Sequence, residues 1–440
     1  YYQDREGKST GQYYTMLASA PEQLPHMQNP VAVAELNKQY NTSLSVQPEF
    51  VMTYNIMGLE PGQHRLTYDG RVTFQVQNSG NDNYMPAELI ADGWTSTQAN
   101  SISTSSNKSS NVTTTHTLTF VPSFENKNHS VMAMVRGQVG ANNSKNQSQS
   151  IYGVPSGSFE STALDGVIEN FSTGAGRGRS ANATFSGHYA FKSKYIFDLT
   201  VRADGTTSMG DKRRWGVFPA LSMRWNISDE AFMQALPWIT MLSIRPSWGI
   251  TGNPPGGSDL YYSKYSSYDA YLGTSSIRPS NIRLSKLQWE ETMSWNLGFD
   301  IGLFADKISA NIDLYTRTTT KQLQNNYAIP TSSGFSSLSY VNDGSMKNQG
   351  WELTLNTNRL ITFGDVSVNT NLSFSDNSNQ ILEMNPIMLE RRNGDFEYKN
   401  GQYLSYIQLR NSFGSIYGFK YKGVYQYSDY TEEEVPGVSG

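Results

Sequence analysis

The stretch RRWGVFPALSMRWNISDEAF, Arg213 to Phe232, contains the pattern that decides the fold of this chain. From Ala220 onward the side chains alternate between two classes: small or polar at Ala220, Ser222, Arg224 and Asn226, and apolar at Leu221, Met223, Trp225 and Ile227. A period of two residues is typical of a β-strand that has one polar and one apolar face. The apolar face of such a strand meets either the core of a soluble protein or the lipid of a membrane.

Few charges and many aromatic residues distinguish this chain from an ordinary soluble domain. Of its 440 residues, 16% are charged, against about 25% in a typical soluble domain, and 12% are aromatic. The net charge of −4 does not indicate a nucleic-acid partner, and the absence of cysteine excludes disulfides and thiolate metal sites. No apolar run approaches the roughly 18 residues of a membrane helix. A membrane barrel is compatible with this hydropathy because its strands contact lipid only at alternate positions.

The clearest hairpin is ETMSWNLGFDIGLFADKISANIDLYTR, which begins at Glu291 and ends at Arg317. A tight turn is predicted at Ala305 and Asp306, between two alternating strands. Each strand is about 11 residues long, the length that a tilted strand needs to cross a bilayer, whereas soluble strands are nearer 5 or 6. The same test predicts roughly a dozen to fourteen strands along the chain, and a short helical turn at Asp229–Leu236.

Short and long connections are predicted to alternate along most of the chain. The short links are Gly58–Gln63, Phe124–His129, Lys192–Lys194, Ser228–Ile239, Ala305–Asp306 and Ile361–Gly364. The long polar links are Asn78–Thr113, Gly140–Ser180, Asp204–Trp215, Gly252–Gln288, Thr318–Asn348 and Asp376–Gln402. Soluble domains avoid repeated long structureless loops, whereas outer-membrane barrels combine short periplasmic turns with long extracellular loops. We therefore predict an all-β transmembrane antiparallel barrel, with a large soluble β-sandwich as the alternative.

Five motifs follow one another between about Arg202 and Gln426. They are RADGTTSMGDKRRWGVFPALSMRWNISDEAFM, LSIRPSWGITGN, LQWEETMSWNLGFDIGLFADKISANIDLYTRTTTKQL, VNDGSMKNQGWELTLN and SIYGFKYKGVYQ. In this order they resemble the barrel of SusC/RagA-type TonB-dependent outer-membrane transporters. The chain departs from the family pattern at Thr206–Thr207, where a serine pair is usual, at Met209, where an aromatic residue is usual, and at Ala220, where serine is usual. The first 200 residues are similar to the family in general character only.

The resemblance implies an energised importer in the outer membrane. Members of the family form a barrel of about 22 strands closed by an N-terminal plug. They pair with a SusD-like lipoprotein lid, draw energy from TonB through an N-terminal segment, import oligosaccharides or peptides, and are common in Bacteroidetes. For this chain the resemblance implies the same partners, contact with outer-membrane lipid and lipopolysaccharide, and a dimer of transporter–lid pairs. It implies no cofactor.

Residues 1–440 are expected to be part of such a barrel. The opening YYQDREGKST has none of the features of a signal peptide. Neither a plug, nor a TonB box, nor a closing strand that ends in an aromatic residue is recognised in the sequence, and the predicted strands are fewer than 22. An open sheet of this size would leave two long edges in lipid, which is not tolerated. The missing parts are therefore expected on both sides, in a longer polypeptide.

Two predicted external loops carry candidate binding residues. One contains the basic cluster Lys212, Arg213 and Arg214, whose side chains suit lipopolysaccharide phosphates or an acidic lid surface; solvated loop charge is the interpretation that we favour. The other contains five tyrosines: Tyr261, Tyr262, Tyr265, Tyr268 and Tyr271. Aromatic rings stack on sugars and anchor protein interfaces, so contact with substrate or lid competes with packing of the loop on itself.

Further candidates lie on the two faces of the predicted strands. Asp300 and Asp313 are expected to face the lumen, where they contact substrate, plug or solvent. Four tryptophans fall on the apolar parity and suit the aromatic girdles at the membrane interfaces: Trp225, Trp248, Trp289 and Trp295.

The sequence does not indicate an enzyme. It has no G-x-S-x-G elbow, GAGRGRS at Gly174–Ser180 lacks the spacing of a nucleotide-binding loop, and the histidines are dispersed, without a metal-binding pattern. Besides the importer, two alternatives remain. A passive porin predicts a complete closed barrel, and a surface glycan-binding β-protein predicts strands whose apolar faces bury one another.

Overall fold

One antiparallel sheet dominates the computed structural model, which describes residues 30–60, 62–89, 100–154, 166–210, 213–257, 260–271, 274–364, 366–393, 404–417, 421 and 423–424. Its strands in chain order are β1 (Lys38–Val46), β2 (Glu49–Met57), β3 (Arg65–Met85), β4 (Ser101–Val121), β5 (His129–Tyr152), β6 (Val167–Phe191), β7 (Tyr195–Thr206), β8 (Trp215–Asn226), β9 (Ile239–Asn253), β10 (Tyr265–Tyr271), β11 (Thr274–Pro279), β12 (Glu290–Leu303), β13 (Ile308–Thr320), β14 (Leu323–Ala328), β15 (Ser337–Asn342), β16 (Ser345–Phe363), β17 (Val366–Glu383), β18 (Leu404–Ser405) and β19 (Ile416–Tyr417). Helices are short: α1 (Pro30–Leu36), α2 (Pro386–Asn393), and 3₁₀ turns at Ala87–Leu89, Ile227–Asp229, Ala231–Ala235 and Thr331–Ser333.

The main sheet is a meander of 13 strands, in the order β1-β3-β4-β5-β6-β7-β8-β9-β12-β13-β16-β17, with β2 also paired to β3. β10–β11, β14–β15 and β18–β19 form separate small hairpins. β1 and β2 are two halves of one interrupted strand, because both run antiparallel to β3, along Asn78–Tyr84 and Leu66–Thr73 among other pairs. Pro48 lies at the interruption, where it has no N–H for the ladder, while its carbonyl accepts a 3.0 Å hydrogen bond from the amide of Phe74.

The apolar face of this sheet is the exposed one. On β12, Trp295 is 54% exposed, whereas Asp300 on the opposite face is 8% exposed. The ladder aligns Trp295 with Trp248 of β9, and Trp248 with Leu221 of β8, so the apolar residues form rows across neighbouring strands. A soluble sandwich would bury this face against a second sheet. We call it the apolar face, and the opposite one, which carries Asp300, the polar face.

The turns of the two sheet ends differ, as predicted. One end has short turns, including 192–194 and 304–307, where Lys192, Ser193 and 304–306 have positive φ angles near 50–60°. We call this the short-turn end. The helical turn predicted before β9 is confirmed as the 3₁₀ turn Ala231–Ala235. At the opposite, long-loop end, the links between neighbouring strands of the main sheet are 86–100, 153–166, 207–214, 254–289 and 321–344.

The two longest predicted loops in the first half are wrong. Asn78–Thr113 and Gly140–Ser180 consist mostly of ladder, because β3 and β4 have 21 residues each, β5 has 24 and β6 has 25. The halves of these strands toward the long-loop end are rich in Ser, Asn, Gln and Thr on both faces. A strand segment that has water on both faces does not need an apolar face, so it lacks the alternation by which strands are recognised in sequence.

The later long links were also predicted inaccurately, because two of them contain short hairpins and the third begins later than predicted. The link 254–289 contains β10 and β11, and 321–344 contains β14 and β15. β17 continues to Glu383, into the predicted Asp376–Gln402 loop, and α2 follows.

A small apolar core holds the loops at the long-loop end together. Its buried residues come from the β7–β8 link, from β8 and from the β9–β12 link: Met209, Phe218, Leu260, Leu284, Leu287 and Trp289. Leu323, Leu338 and Tyr340 of the β14–β15 region pack against them. The three loops are therefore held in place relative to the main sheet. Within the described ranges, no helix is long and apolar enough to cross a bilayer.

Candidate functional site

The polar face carries an ion-pair network centred on Asp300. Its carboxylate lies 2.8 Å from Arg245 Nη2 and 3.2 Å from Arg224 Nη2, and it accepts a 2.9 Å hydrogen bond from the Ser243 hydroxyl. The ladder places Ser243 directly opposite Asp300, with Arg245 one polar-face position further along β9. Two guanidinium groups and a hydroxyl therefore compensate one largely buried carboxylate.

The network extends to β13 through Arg245, which lies 3.6 Å from Asp313 Oδ2. Asp313 also accepts a 3.0 Å hydrogen bond from the amide of Asn296. Gly298 stands between these side chains, and a Cβ there would lie 2.8 Å from Asp313 Oδ1 and 2.9 Å from Arg245 Cζ. A side chain there would displace the ends of the flexible Arg245 and Asp313 side chains, so the glycine leaves open the space in which these two groups meet.

A second polar cluster lies on the same face, on β6 to β8. His188 Nδ1 lies 2.6 Å from Asp198 Oδ1, and Asp198 Oδ2 accepts a 3.3 Å hydrogen bond from Ser222. Asp198 and Asp300 lie three residues from the short-turn ends of their strands. The charged groups therefore form a belt across the polar face near this end. The sequence pattern places Asp300, Asp313 and Arg224 on the polar side of their strands. It does not predict that the arginines and His188 pair with the aspartates, because that pairing depends on a register that is not visible in the sequence.

Glu230 anchors two aromatic residues at the short-turn end. It accepts hydrogen bonds from the Tyr195 hydroxyl at 2.6 Å and from the Trp225 indole at 3.2 Å, and lies 3.4 Å from Lys194 Nζ. These hydrogen bonds, that of Tyr195 first and that of Trp225 second, hold the pKa of the Glu230 carboxyl below its ordinary value. On the apolar face, Tyr195 stacks with Trp225 and with Phe191, as an interfacial aromatic girdle does.

Of the four tryptophans predicted to lie on the apolar face, three do so and one is buried in the loop core. Trp225 and Trp295 are exposed on the apolar face, and Trp248 lies 6.0 Å from Trp295 between ring centroids. The girdle assignment of Trp289 is wrong. Its side chain is 7% exposed and meets Phe218 edge to face, at 5.5 Å, inside the loop core. Trp289 precedes the first residue of β12, so the parity rule of that strand does not apply to it.

The basic cluster lies on the long-loop end. Lys212 lies outside the described residues. Arg213 donates a 2.5 Å hydrogen bond to Gln288, whose backbone exchanges two 2.8 Å hydrogen bonds with the side chain of Asn342. Arg214 is half-buried. Arg213 therefore links the β7–β8 loop to the later loops.

The tyrosine loop separates into a packed and an exposed part. Tyr261 carries the Arg283 guanidinium over its ring at 4.1 Å, and its ring lies 2.5 Å from where a Cβ of Gly210 would stand. Tyr262 and Tyr265 are exposed. Tyr268 and Tyr271 belong to β10, and their side chains lie outside the described part of the structure. The loop is therefore packed on itself at Tyr261 and has exposed rings at Tyr262 and Tyr265, for which contact with substrate or lid stays a prediction.

The described part of the chain contains no group of three or more His, Asp or Glu side chains that could hold a metal ion.

Residues 11–437 match the family model described as TonB dependent receptor-like, beta-barrel. The chain belongs to this family. TonB-dependent receptor P39 of Formosa agariphila is 35% identical over 241 residues, which cover 55% of this chain and 22% of that relative. TonB-dependent receptor SusC of Bacteroides thetaiotaomicron is 32% identical over 207 residues, which cover 45% of this chain and 20% of that relative. The matched residues thus span about a fifth of these relatives.

A solved structure shares the fold. "Structure of the RagAB peptide transporter" aligns with a TM-score of 0.68 and 21% identity, over 81% of this chain and 38% of that chain. The predicted membership in the TonB-dependent transporter family, the all-β barrel fold and the outer-membrane location are confirmed, and SusC is a named relative of the predicted type. A TonB-dependent receptor barrel is not an enzyme, as predicted. In a barrel of this family, the exposed apolar face of the sheet is the surface that meets lipid.

Proposed function

We propose that this chain forms barrel wall in an energised importer of a large nutrient, an oligosaccharide or a peptide. The observation that carries the proposal is that the apolar face of the sheet is exposed, whereas in a soluble protein it would be buried. Trp295 on the apolar face is exposed to lipid, while Asp300 on the polar face is held in a network of ion pairs. A polar, hydrogen-bonded inner surface lines the path of a hydrophilic substrate.

The long-loop end supplies a fixed outer mouth in this proposal. Because the loop core ties three links together, the exposed rings of Tyr262 and Tyr265 are held on a supported surface. Aromatic side chains held in this way bind sugar faces or a partner protein with little loss of conformational entropy. We therefore assign Tyr262 and Tyr265 to contact with substrate or with a SusD-like lid.

The partners follow from the family. TonB would transmit energy through an N-terminal region, and a SusD-like lipoprotein would close the mouth, in a dimer of transporter–lid pairs. Asp300 and Asp313 would face the lumen. Their charges are already compensated within the wall, so contact with a plug or with solvent suits them better than direct substrate binding.

Uptake in cells tests the proposal. The polypeptide that carries these residues is expressed in its native outer membrane, and uptake of fluorescent oligosaccharides and peptides is measured with and without a protonophore. Energised import predicts uptake of one substrate class that stops when the proton-motive force collapses. Uptake that continues would support the passive porin, and recovery of the protein without detergent would support a soluble surface protein.

Variants test the mouth. Tyr262→Ala with Tyr265→Ala is expected to lower uptake at limiting substrate, and Tyr54→Ala, an exposed tyrosine on the apolar face of β2, serves as the matched control. Equal uptake by all three proteins would remove these two tyrosines from the proposed contact.

A further inference from the structure

Four cationic side chains lie on the apolar-face parity of β4, β5 and β6, one in the last apolar row and three beyond it. The ladder aligns Val112 with Ala141 and Ala141 with Arg179. In the next row on the same face, Asn143 aligns with Arg177. The next row aligns Lys108 with Lys145. Lys108, Lys145, Arg177 and Arg179 are all exposed, and we call them the basic patch.

The basic patch contains a like-charge pair without local compensation. Lys108 and Lys145 are directly opposite in adjacent strands, an arrangement that places Cβ atoms about 5 Å apart and is destabilising for like charges. In the described part of the chain, none of the four side chains forms an ion pair with a carboxylate. Arg179 reaches over β5 through hydrogen bonds from Nη1 to the side chain of Asn143, at 3.4 Å, and to the carbonyl of Asn142, at 3.5 Å, and it also donates to the carbonyl of Gly178 on its own strand, at 2.9 Å.

The height of the patch matches the level of lipid head groups. On β5 the apolar-face positions from Val131 to Ala141 are apolar or glycine. Ten residues of strand at about 3.3 Å each, tilted by about 45°, rise roughly 23 Å, close to the ~25 Å apolar band of outer-membrane barrels. Lys145 stands four residues beyond Ala141, about 9 Å higher by the same arithmetic. A flexible lysine side chain can extend over this distance and bring its ammonium group back to the lipid head groups.

The surroundings also leave room for a ligand. A cavity of about 410 Å³ is lined by Ser106, Lys108, Lys145, Asn146, Gln147 and 173–175. Gly174 contributes no side chain to it, and hydroxyl and amide groups surround the two lysines. Phosphate oxygens accept charge-assisted hydrogen bonds from lysine and arginine, and hydrogen bonds from hydroxyl and amide groups.

We propose that the basic patch binds the phosphate groups of an outer-leaflet lipid, whose acyl chains lie on the apolar face below it. The phosphates offset the repulsion between Lys108 and Lys145, and the apolar row that contains Val112 and Ala141 continues directly into the acyl region. The site is distinct from the Lys212–Arg214 cluster, because Arg213 is bound to Gln288 within the loop core region.

Thermal unfolding tests this site in the full-length protein purified in a neutral detergent. The probe is lipid A that carries its phosphates, compared with chemically dephosphorylated lipid A. Phosphorylated lipid A is expected to raise the Tm of the wild type, and the Lys108→Gln/Lys145→Gln double variant is expected to lose most of that rise. Without lipid the double variant should melt at the same or a higher temperature than the wild type, because the lysine repulsion is gone.

Native mass spectrometry supplies the affinity. The double variant should bind phosphorylated lipid A roughly 30-fold more weakly than the wild type, because each lysine near the head groups contributes about a fivefold gain in affinity. Lys108→Arg/Lys145→Arg should retain binding. Lys127→Gln/Lys192→Gln, which removes the same charge from the short turns of these strands, should match the wild type. The proposal is overturned if the double variant binds like the wild type, if dephosphorylated lipid A binds equally well, or if millimolar inorganic phosphate displaces the lipid.

Discussion

Arg245 approaches Asp300 to 2.8 Å from the neighbouring strand, on the face of the sheet opposite the exposed tryptophans. The contact joins β9 to β12, and Arg224 adds a third strand to it. Because Asp300 is almost fully buried while both arginines remain partly exposed, the arrangement has the geometry of a cross-strand clamp.

Asp300→Asn should destabilise the barrel because it leaves two arginines facing a neutral amide. Fully buried pairs cost about 3–5 kcal/mol to break, and we expect about 2 kcal/mol here since the arginines are partly solvated. The measurement is urea unfolding in detergent. Asp313→Asn is the control, because its carboxylate is more exposed and lies 3.6 Å from Arg245, and a loss of less than about 1 kcal/mol is expected. Equal losses in the two variants would contradict the clamp.

Glu230 predicts an acid sensitivity at the short-turn end. Its pKa is lowered in the folded state by the Tyr195 and Trp225 hydrogen bonds, so its contribution to stability is present above its unfolded pKa, about 4.3, and is lost as the pH falls through the lower folded value. The Tm of Glu230→Gln should therefore lie below that of the wild type at pH 7, and the difference should shrink as the pH falls below about 4.3. A difference that does not change with pH would indicate a role independent of the charge.

Gly252 is expected to be intolerant of any side chain. A Cβ there would clash with the ring of Phe218, and Phe218 packs on Trp289 in the loop core. Gly252→Ala should displace the ring, cost about 1–3 kcal/mol, and speed proteolysis of the 260–289 region. Gly137→Ala is the matched control, because nothing lies within 4 Å of a Cβ at that strand position. Adding Phe218→Leu to Gly252→Ala should recover part of the loss, since the clashing ring is then absent.

Trp295 and Trp289 should differ in their access to lipid. In vesicles of brominated lipid, Trp295→Phe should reduce the quenched fraction of the tryptophan fluorescence, because Trp295 is exposed on the apolar face. Trp289→Phe should leave the quenched signal unchanged and remove an unquenched one, because Trp289 is buried in the loop core. Quenching that depends on Trp289 would place that ring against lipid.

The sequence predicted the strands in which each side chain reflects its own surroundings. Alternation from Glu291 to Arg317 marked both strands of the β12–β13 hairpin and its turn, because each residue reports whether its own side chain meets lipid or water. The upper halves of β4 to β6 were missed, because a ladder in water depends on backbone hydrogen bonds that any polar sequence can make. The charge belt was missed in part for a different reason. Asp300 was visible on the polar parity, but its partners belong to strands whose register is fixed by the fold.

The hairpins inserted in the links 254–289 and 321–344 give the molecule a modular design. β9 pairs with β12 along the whole of β12, with one register shift at Gly302/Leu303, and β13 pairs with β16 without interruption, although whole segments intervene in the chain. Segments of that kind can be lengthened, shortened or exchanged without changing one ladder pair of the wall. In the importer that we propose, the substrate preference can therefore change at the long-loop end while the main sheet stays the same, and replacing 254–289 by the corresponding segment of a relative is expected to redirect it.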